Sequence, residues 1–131
     1  MMSYYFSKTI QNKTFEEAIE SVTTALKNEG FGILTQINIQ ETLKKKLDED
    51  FRPYMILGAC NPPFAFKALS AEDKIGTMLP CNVIVQQTDA GVEVAAVDPV
   101  ASMQAVDNEA LKPIATEIRD RLQRAIQSLA S

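Results

Sequence analysis

Histidine is absent from this sequence, as is tryptophan, and only two cysteines are present. Without histidine the chain holds no Ser-His-Asp triad, no Cys-His nucleophile pair and no imidazole to bind zinc. Two cysteines fall short of the four ligands that structural zinc takes, so neither a metal nor a cofactor is expected. Basic residues are outnumbered: 13 Lys and Arg stand against 17 Asp and Glu, a net charge of −4. Counterion release, the main source of nucleic-acid affinity, then has little to act on. The one basic run, Lys44-Lys45-Lys46, is followed by Asp48, Glu49 and Asp50 and reads as a solvated face of mixed charge. No stretch approaches the roughly 20 apolar residues of a membrane span. The segment Met1-Met2-Ser3-Tyr4-Tyr5-Phe6-Ser7-Lys8 has no basic region leading into an apolar one. No glycine-rich loop joins a strand to a helix, which removes dinucleotide and P-loop folds. The expected protein is cytoplasmic, keeps its thiols reduced, and binds neither nucleic acid nor membrane.

What is present is a chain of 131 residues, 46% apolar, which fits one domain over residues 1–131 with a core large enough to need no staple. Tyr4 to Ile10 reads as a strand. Thr14, with Glu17 three residues on, is a capping box opening a helix whose stripe is Phe15, Ala18, Ile19, Val22 and Leu26, and Gly30 suits the end of that helix. Phe31, Ile33, Ile37 and Ile39 alternate as a strand with one buried face, and Asn38 with Glu41 caps a short helix carrying Leu43 and Leu47. The run Tyr54 to Cys60 reads as a central strand covered on both faces. Asn61 then caps a helix with Pro62 at its first position, running through Phe64, Ala65, Ala68 and Leu69.

Cys81 to Gln87 and Val92 to Val97 form a hairpin around Thr88-Asp89-Ala90-Gly91. Asp98 before Pro99 starts a further short helix with Val100, Met103 and Val106. A long helix beginning near Pro113 closes the chain, with Glu117–Arg121 and Asp120–Arg124 as exposed i,i+4 pairs. Strands gathered round a hairpin, with helices of matching apolar stripes, define an α+β fold: an antiparallel or mixed sheet with helices packed on it.

Few residues stand out chemically. Cys60 and Cys81 are each followed by Asn and each lies where a strand meets a proline. If their strands are antiparallel neighbours the two thiols come close, and a helix N-terminus beside Cys60 favours its thiolate. Two readings stand for the pair: small apolar residues at strand ends, or a redox or metal-handling site. Asp98 has a cap to make and is otherwise a candidate acid or base. Phe64, Phe66, Met55, Met78 and Met103 read as core, with an apolar pocket as the alternative.

Gly-Phe-Gly-Ile-Leu-Thr at 30–35, Phe51-Arg52-Pro53-Tyr54, Leu57-Gly58-Ala59-Cys60-Asn61-Pro62-Pro63, Leu79-Pro80-Cys81-Asn82-Val83 and Val97-Asp98-Pro99 occur in order along the chain. With them the sequence resembles, over its full length, domain-of-unknown-function family 302. The resemblance implies a small bacterial or archaeal domain, a TATA-binding-protein-like α+β fold, and no established activity. It implies Arg52, Cys60, Asn61, Pro62, Cys81, Asn82 and Asp98 as candidates for a shared site. By analogy with helix-grip folds, a long final helix is compatible with an apolar or other small-molecule ligand.

The function expected is therefore a small-ligand-binding or non-catalytic domain, with thiol chemistry at Cys60 and Cys81 as the alternative. A homodimer is expected too. The strands at Tyr4–Phe6 and Tyr54–Cys60 are apolar on both sides, and two long helices cover only one sheet face.

Overall fold

A computed structural model describes residues 3–130; Met1 and Met2, part of the N-terminal segment read above, and Ser131 lie outside the described residues. The elements follow in the order β1 (Tyr5–Ile10), α1 (Phe15–Asn28), β2 (Gly32–Asn38), α2 (Ile39–Leu47), β3 (Tyr54–Cys60) and α3 (Pro62–Ala71). A 3-10 turn at Asp73–Met78 leads into the hairpin β4 (Cys81–Thr88) and β5 (Gly91–Val97), then α4 (Pro99–Ser102) and α5 (Leu111–Gln127). The five strands make one sheet, antiparallel throughout, in the order β1-β5-β4-β3-β2. α1 thus carries the chain from one edge of the sheet to the other.

Local chemistry fixes the ends of α1. Thr14 Oγ1 accepts from the Glu17 amide at 3.1 Å, and Glu17 Oε1 accepts from the Thr14 amide at 2.8 Å, closing the capping box. Gly30 ends the segment at φ 88°, a conformation glycine adopts without strain. At the far end of α5, Lys8 of the edge strand β1 donates to the carbonyls of Gln127 and Leu129, where helix carbonyls lack partners and favour a cation.

Alternation sends Ile10, Val92, Val94, Val83, Val85 and Leu57 to one face of the sheet, where they pack with Ala18, Val22 and Leu26 of α1 and Ile118, Leu122 and Ile126 of α5. A smaller cluster of Ala68, Ile75, Met103, Leu111 and Ala115 fills the space under the first half of α5, between α3, the 3-10 turn and α4. The opposite face carries no such layer. Its middle is an open groove of about 440 Å³ over Ile84, Ala95, Asn82 and Gln86, walled by Tyr4, Tyr5 and Tyr54.

Several expectations change. A bulge between Ile33 and Thr35 shifts the register of β2, so Ile33 faces the helices opposite Ala59, whereas Ile37 faces the open side opposite Ile56 and is 46% exposed. Ile39 already belongs to α2. β3 is not central but second from an edge, and its Tyr54 and Ile56 are only half-buried. Pro113 sits in the first turn of α5, which starts at Leu111; amides there lack helical partners anyway, so proline costs no bond. α4 stops at Ser102. The Asp120–Arg124 pair does not form: Arg124 reaches across to Glu29 at 3.1 Å and Asp120 pairs with Arg119. Phe66 and Met78, read as core, are exposed.

Gly58 is the tightest point of the sheet. A Cβ there would stand 2.2 Å from Thr35 Oγ1 and 2.8 Å from Pro80 Cγ. Gly58→Ala should therefore destabilise the fold by about 1–3 kcal/mol in urea unfolding, the usual range for overpacking. Adding Thr35→Ala should recover part of that loss; no recovery would mean that Pro80 alone sets the limit.

Candidate functional site

β3 ends where β4 begins, because the two strands are antiparallel and Ala59 pairs with Cys81. Cys60, one residue past that pair, is followed at once by Asn61 and by the first turn of α3. Phe31, which opens the approach to β2, and Ile118 of α5 close the space from the other sides. The result is an apolar cavity of about 230 Å³ bordered by Phe31, Ala59, Cys60, Asn61, Cys81 and Ile118, with α3 and Pro80 completing the wall. By comparison, an apolar cavity of roughly 150 Å³ accepts benzene.

Asn61 is the polar group of this cavity. It is the N-cap residue of α3, as its place before Pro62 implies, but its side chain makes no cap bond. The carboxamide turns instead to the end of α1, where Nδ2 donates to the Glu29 carbonyl at 3.4 Å. A carbonyl only accepts, so the nitrogen must face Glu29 and the oxygen is left as an acceptor. Asn61 is 6% exposed; among the described residues no protein donor reaches that oxygen, which is not sealed from solvent. Gly30 makes the approach possible: a Cβ there would lie 2.9 Å from Asn61 Nδ2. The same Glu29 carbonyl accepts from Arg121 Nη1 at 3.2 Å, and the Arg121 guanidinium lies 5.2 Å over the Phe64 ring.

Both thiols are free and border the cavity. Cys81 is buried; burial first, and the neighbouring Cys60 second, push its pKa up to about 11. It is a neutral thiol at physiological pH, so any thiolate role falls to the half-buried Cys60. Among the described residues no group of three or more Cys, Asp, Glu or His side chains is placed to hold a metal ion.

The other candidates lie elsewhere. Arg52 is outside the cavity, stacked 4.4 Å over Phe51 and donating through Nε to Gln86 Oε1 at 2.8 Å; Gln86 Nε2 in turn donates to Glu93 Oε1 at 2.8 Å. Asn82 points into the open groove beside this chain of bonds. Asp98 accepts from the Val100 amide at 2.9 Å, which is the capping role its place before Pro99 predicts. Pro62 is exposed at the start of α3. Cys60, Asn61 and Cys81 are thus brought together, and Arg52, Asn82 and Asp98 are not. Sequence reasoning missed Glu29 and Arg121, whose partnership spans 92 positions and leaves no local mark.

A one-sheet α+β domain with an apolar cavity at the β3–α3 junction, bordered by two free thiols and a buried carboxamide, is the class these observations define. Residues 6–129 match the family described as Domain of unknown function DUF302, and the chain belongs to that family. Among solved structures it is similar to an uncharacterized conserved DUF302 protein from Bacillus stearothermophilus. The two share 31% identity over 96% of this chain and 98% of the other, with a TM-score of 0.89. No curated protein matches the chain.

The raised pKa of Cys81 makes stability depend on alkaline pH. Above the ordinary thiol value of 9.0 the unfolded thiol releases its proton while the folded one keeps it to about pH 11. The unfolded state then binds fewer protons, and stability falls by about 2–3 kcal/mol across that window. Denaturant unfolding from pH 8 to 11 should show this decline, and Cys81→Ala should decline less steeply by that amount. An unchanged slope in the variant would mean that the Cys81 thiol ionises freely in the folded protein.

Proposed function

We propose that this chain is a binding domain for a small, mainly apolar molecule carrying one hydrogen-bond donor, held in the cavity at the β3–α3 junction. The observation that carries the reading is Asn61: a carboxamide largely buried against an apolar cavity and anchored through its nitrogen, with its oxygen not sealed from solvent and free to accept from a ligand. In the free protein that oxygen meets solvent, and a ligand donor exchanges a water bond for one inside the cavity, a net gain of about 0.5–1.5 kcal/mol. A ligand hydroxyl or amine meets that oxygen, while the ring of Phe31 and the side chains of Ile118 and Ala59 take its apolar body. Cys60 and Cys81 serve here as soft apolar wall. Two free cysteines fit a reducing, cytoplasmic setting, and no helix among the described residues is long and apolar enough to cross a membrane. An acidic chain whose Lys44 is already paired with Asp48 and Asp50 offers nucleic acid little.

Phenol and benzene separate the two parts of this reading, since they differ by the one donor. Titrated into labelled protein and followed by NMR, both should shift the resonances of Cys60 and Ile118. Phenol should bind about two- to tenfold more tightly, the net value of one hydrogen bond. Asn61→Leu should erase the difference. A cavity that takes up neither compound at millimolar concentration sinks the proposal.

A further inference from the structure

The open face of the sheet is arranged in three rows across the strands. The middle row is Ser7–Ala95–Ile84–Ile56–Ile37, each residue paired with the next in the ladder. On one side of it runs Thr9–Glu93–Gln86–Tyr54. On the other, Tyr5 pairs with Val97, Asn82 with Gly58 and Gly58 with Thr35, and the register of β4 on β5 joins the two halves. Glu93 is the one charged side chain in these rows. β4, the middle strand, contributes Asn82, Ile84 and Gln86 to the centre of each row.

Large and small side chains are placed oppositely about that strand. In the middle row Ala95 and Ser7 on one side answer Ile56 and Ile37 on the other. In the row through Asn82, Tyr5 and Val97 answer Thr35 and Gly58. In the row through Gln86, the Glu93 carboxylate answers Tyr54, over whose ring the Arg52 guanidinium sits at 5.7 Å. A face with this pattern is complementary to itself when turned about a line along β4. Turned that way, Ala95 and Ser7 meet Ile56 and Ile37, Val97 and Tyr5 meet Gly58 and Thr35, and Glu93 meets Arg52. The axial residues match themselves: Ile84 is apolar, and Asn82 and Gln86 carry amides that both donate and accept.

We propose that this face is the interface of a homodimer whose two-fold axis runs along β4 past Ile84, laying β1 of each copy over β2 of the other. Packed sheets lie about 10 Å apart and within about 30° of alignment, which keeps the facing rows in register at their centres. Five strands about 4.8 Å apart, over about six residues of 3.4 Å each, present roughly 480 Å² of projected face per copy. The pair then buries roughly 1,000 Å², the scale a biological interface requires. The exposed Tyr4 and Tyr5 rings, packed edge to face at 5.1 Å, extend the contact at the β1 edge. Isologous two-fold contact is also the commonest form of assembly. The inference is independent of the cavity at the β3–α3 junction.

Sedimentation equilibrium of the full chain at micromolar concentration should give the mass of two chains. Asn82 is exposed, so Asn82→Asp leaves the fold intact while setting two carboxylates face to face on the axis; the dissociation constant should rise at least tenfold. Ala95→Ile should weaken the dimer by crowding Ile56 of the partner, and adding Ile56→Ala to the same chain should restore it, with circular dichroism confirming the fold of each variant. A wild-type protein that is monomeric at 100 µM overturns the proposal, with or without a small molecule in the groove. So does an Asn82→Asp variant that dimerises as tightly as wild type. A double variant no tighter than Ala95→Ile, with both folded, overturns the axis along β4.

Discussion

A five-stranded antiparallel sheet has two faces, and this chain supplies long apolar helices for one. α1 crosses from the β1 edge to the β2 edge on one face, and α5 packs beside it on that same face. Their stripes, Ala18, Val22 and Leu26 with Ile118, Leu122 and Ile126, are consumed in a single core. The shorter helices are drawn to the end of the sheet, where α3 and α4 bury Ala68 and Met103 against the first half of α5. One face is left to whatever lies outside the chain, and the space between the two clusters becomes the cavity.

The junction of those clusters is held by the carbonyl of Glu29. An α-helix leaves its last carbonyls without internal partners, and water normally meets them. Here Arg121 of α5 and Asn61 at the head of α3 both donate to Glu29, while Arg124 grips its carboxylate. One backbone oxygen therefore fixes α1, α5 and the β3–α3 turn relative to one another. Asn61 is held by this bond rather than by capping its own helix, so its oxygen is aimed by a distant element. Exposed ion pairs contribute little by themselves, but here the guanidinium of Arg121 is also stacked on Phe64 and bonded to Glu117 at 3.1 Å, which limits its freedom.

Features written within a few residues were legible in the sequence. The Thr14–Glu17 box, the Asn38 and Asp98 caps, the glycine ending α1 and the hairpin at Gly91 all form as their spacing requires. The α+β class followed from the same signals; that β3 and β4 are antiparallel neighbours was only the condition on which Cys60 and Cys81 would meet, and it holds. Legibility failed where one element decides the fate of another. Nothing local announces the bulge at Leu34, yet it turns Ile37 from the buried face to the open one and changes what the sheet offers its surroundings. Arg124 sits at helical spacing from Asp120, but the end of α1 brings Glu29 nearer and the partner changes. Asn61 had every mark of a cap, and a carbonyl 32 residues away took its amide instead.

Strand alternation explains why the chemically distinctive residues divide between two places. Ala59 and Cys81 are paired and point to the helices, so they line the cavity; Asn82, paired with Gly58, points away and lines the open groove. Consecutive residues of one short segment thus serve opposite faces of the same sheet, and a linear motif such as Gly58-Ala59-Cys60-Asn61 belongs to both. Pro80 couples the two, since it borders the cavity and also limits the space above Gly58. A side chain on Gly58 would press on Pro80 and through it on the cavity wall. The absence of one at that position lets Thr35 of the neighbouring strand and Pro80 of the cavity wall close on the same point of β3, so the packing of the sheet and the shape of the cavity depend on a single closely packed contact.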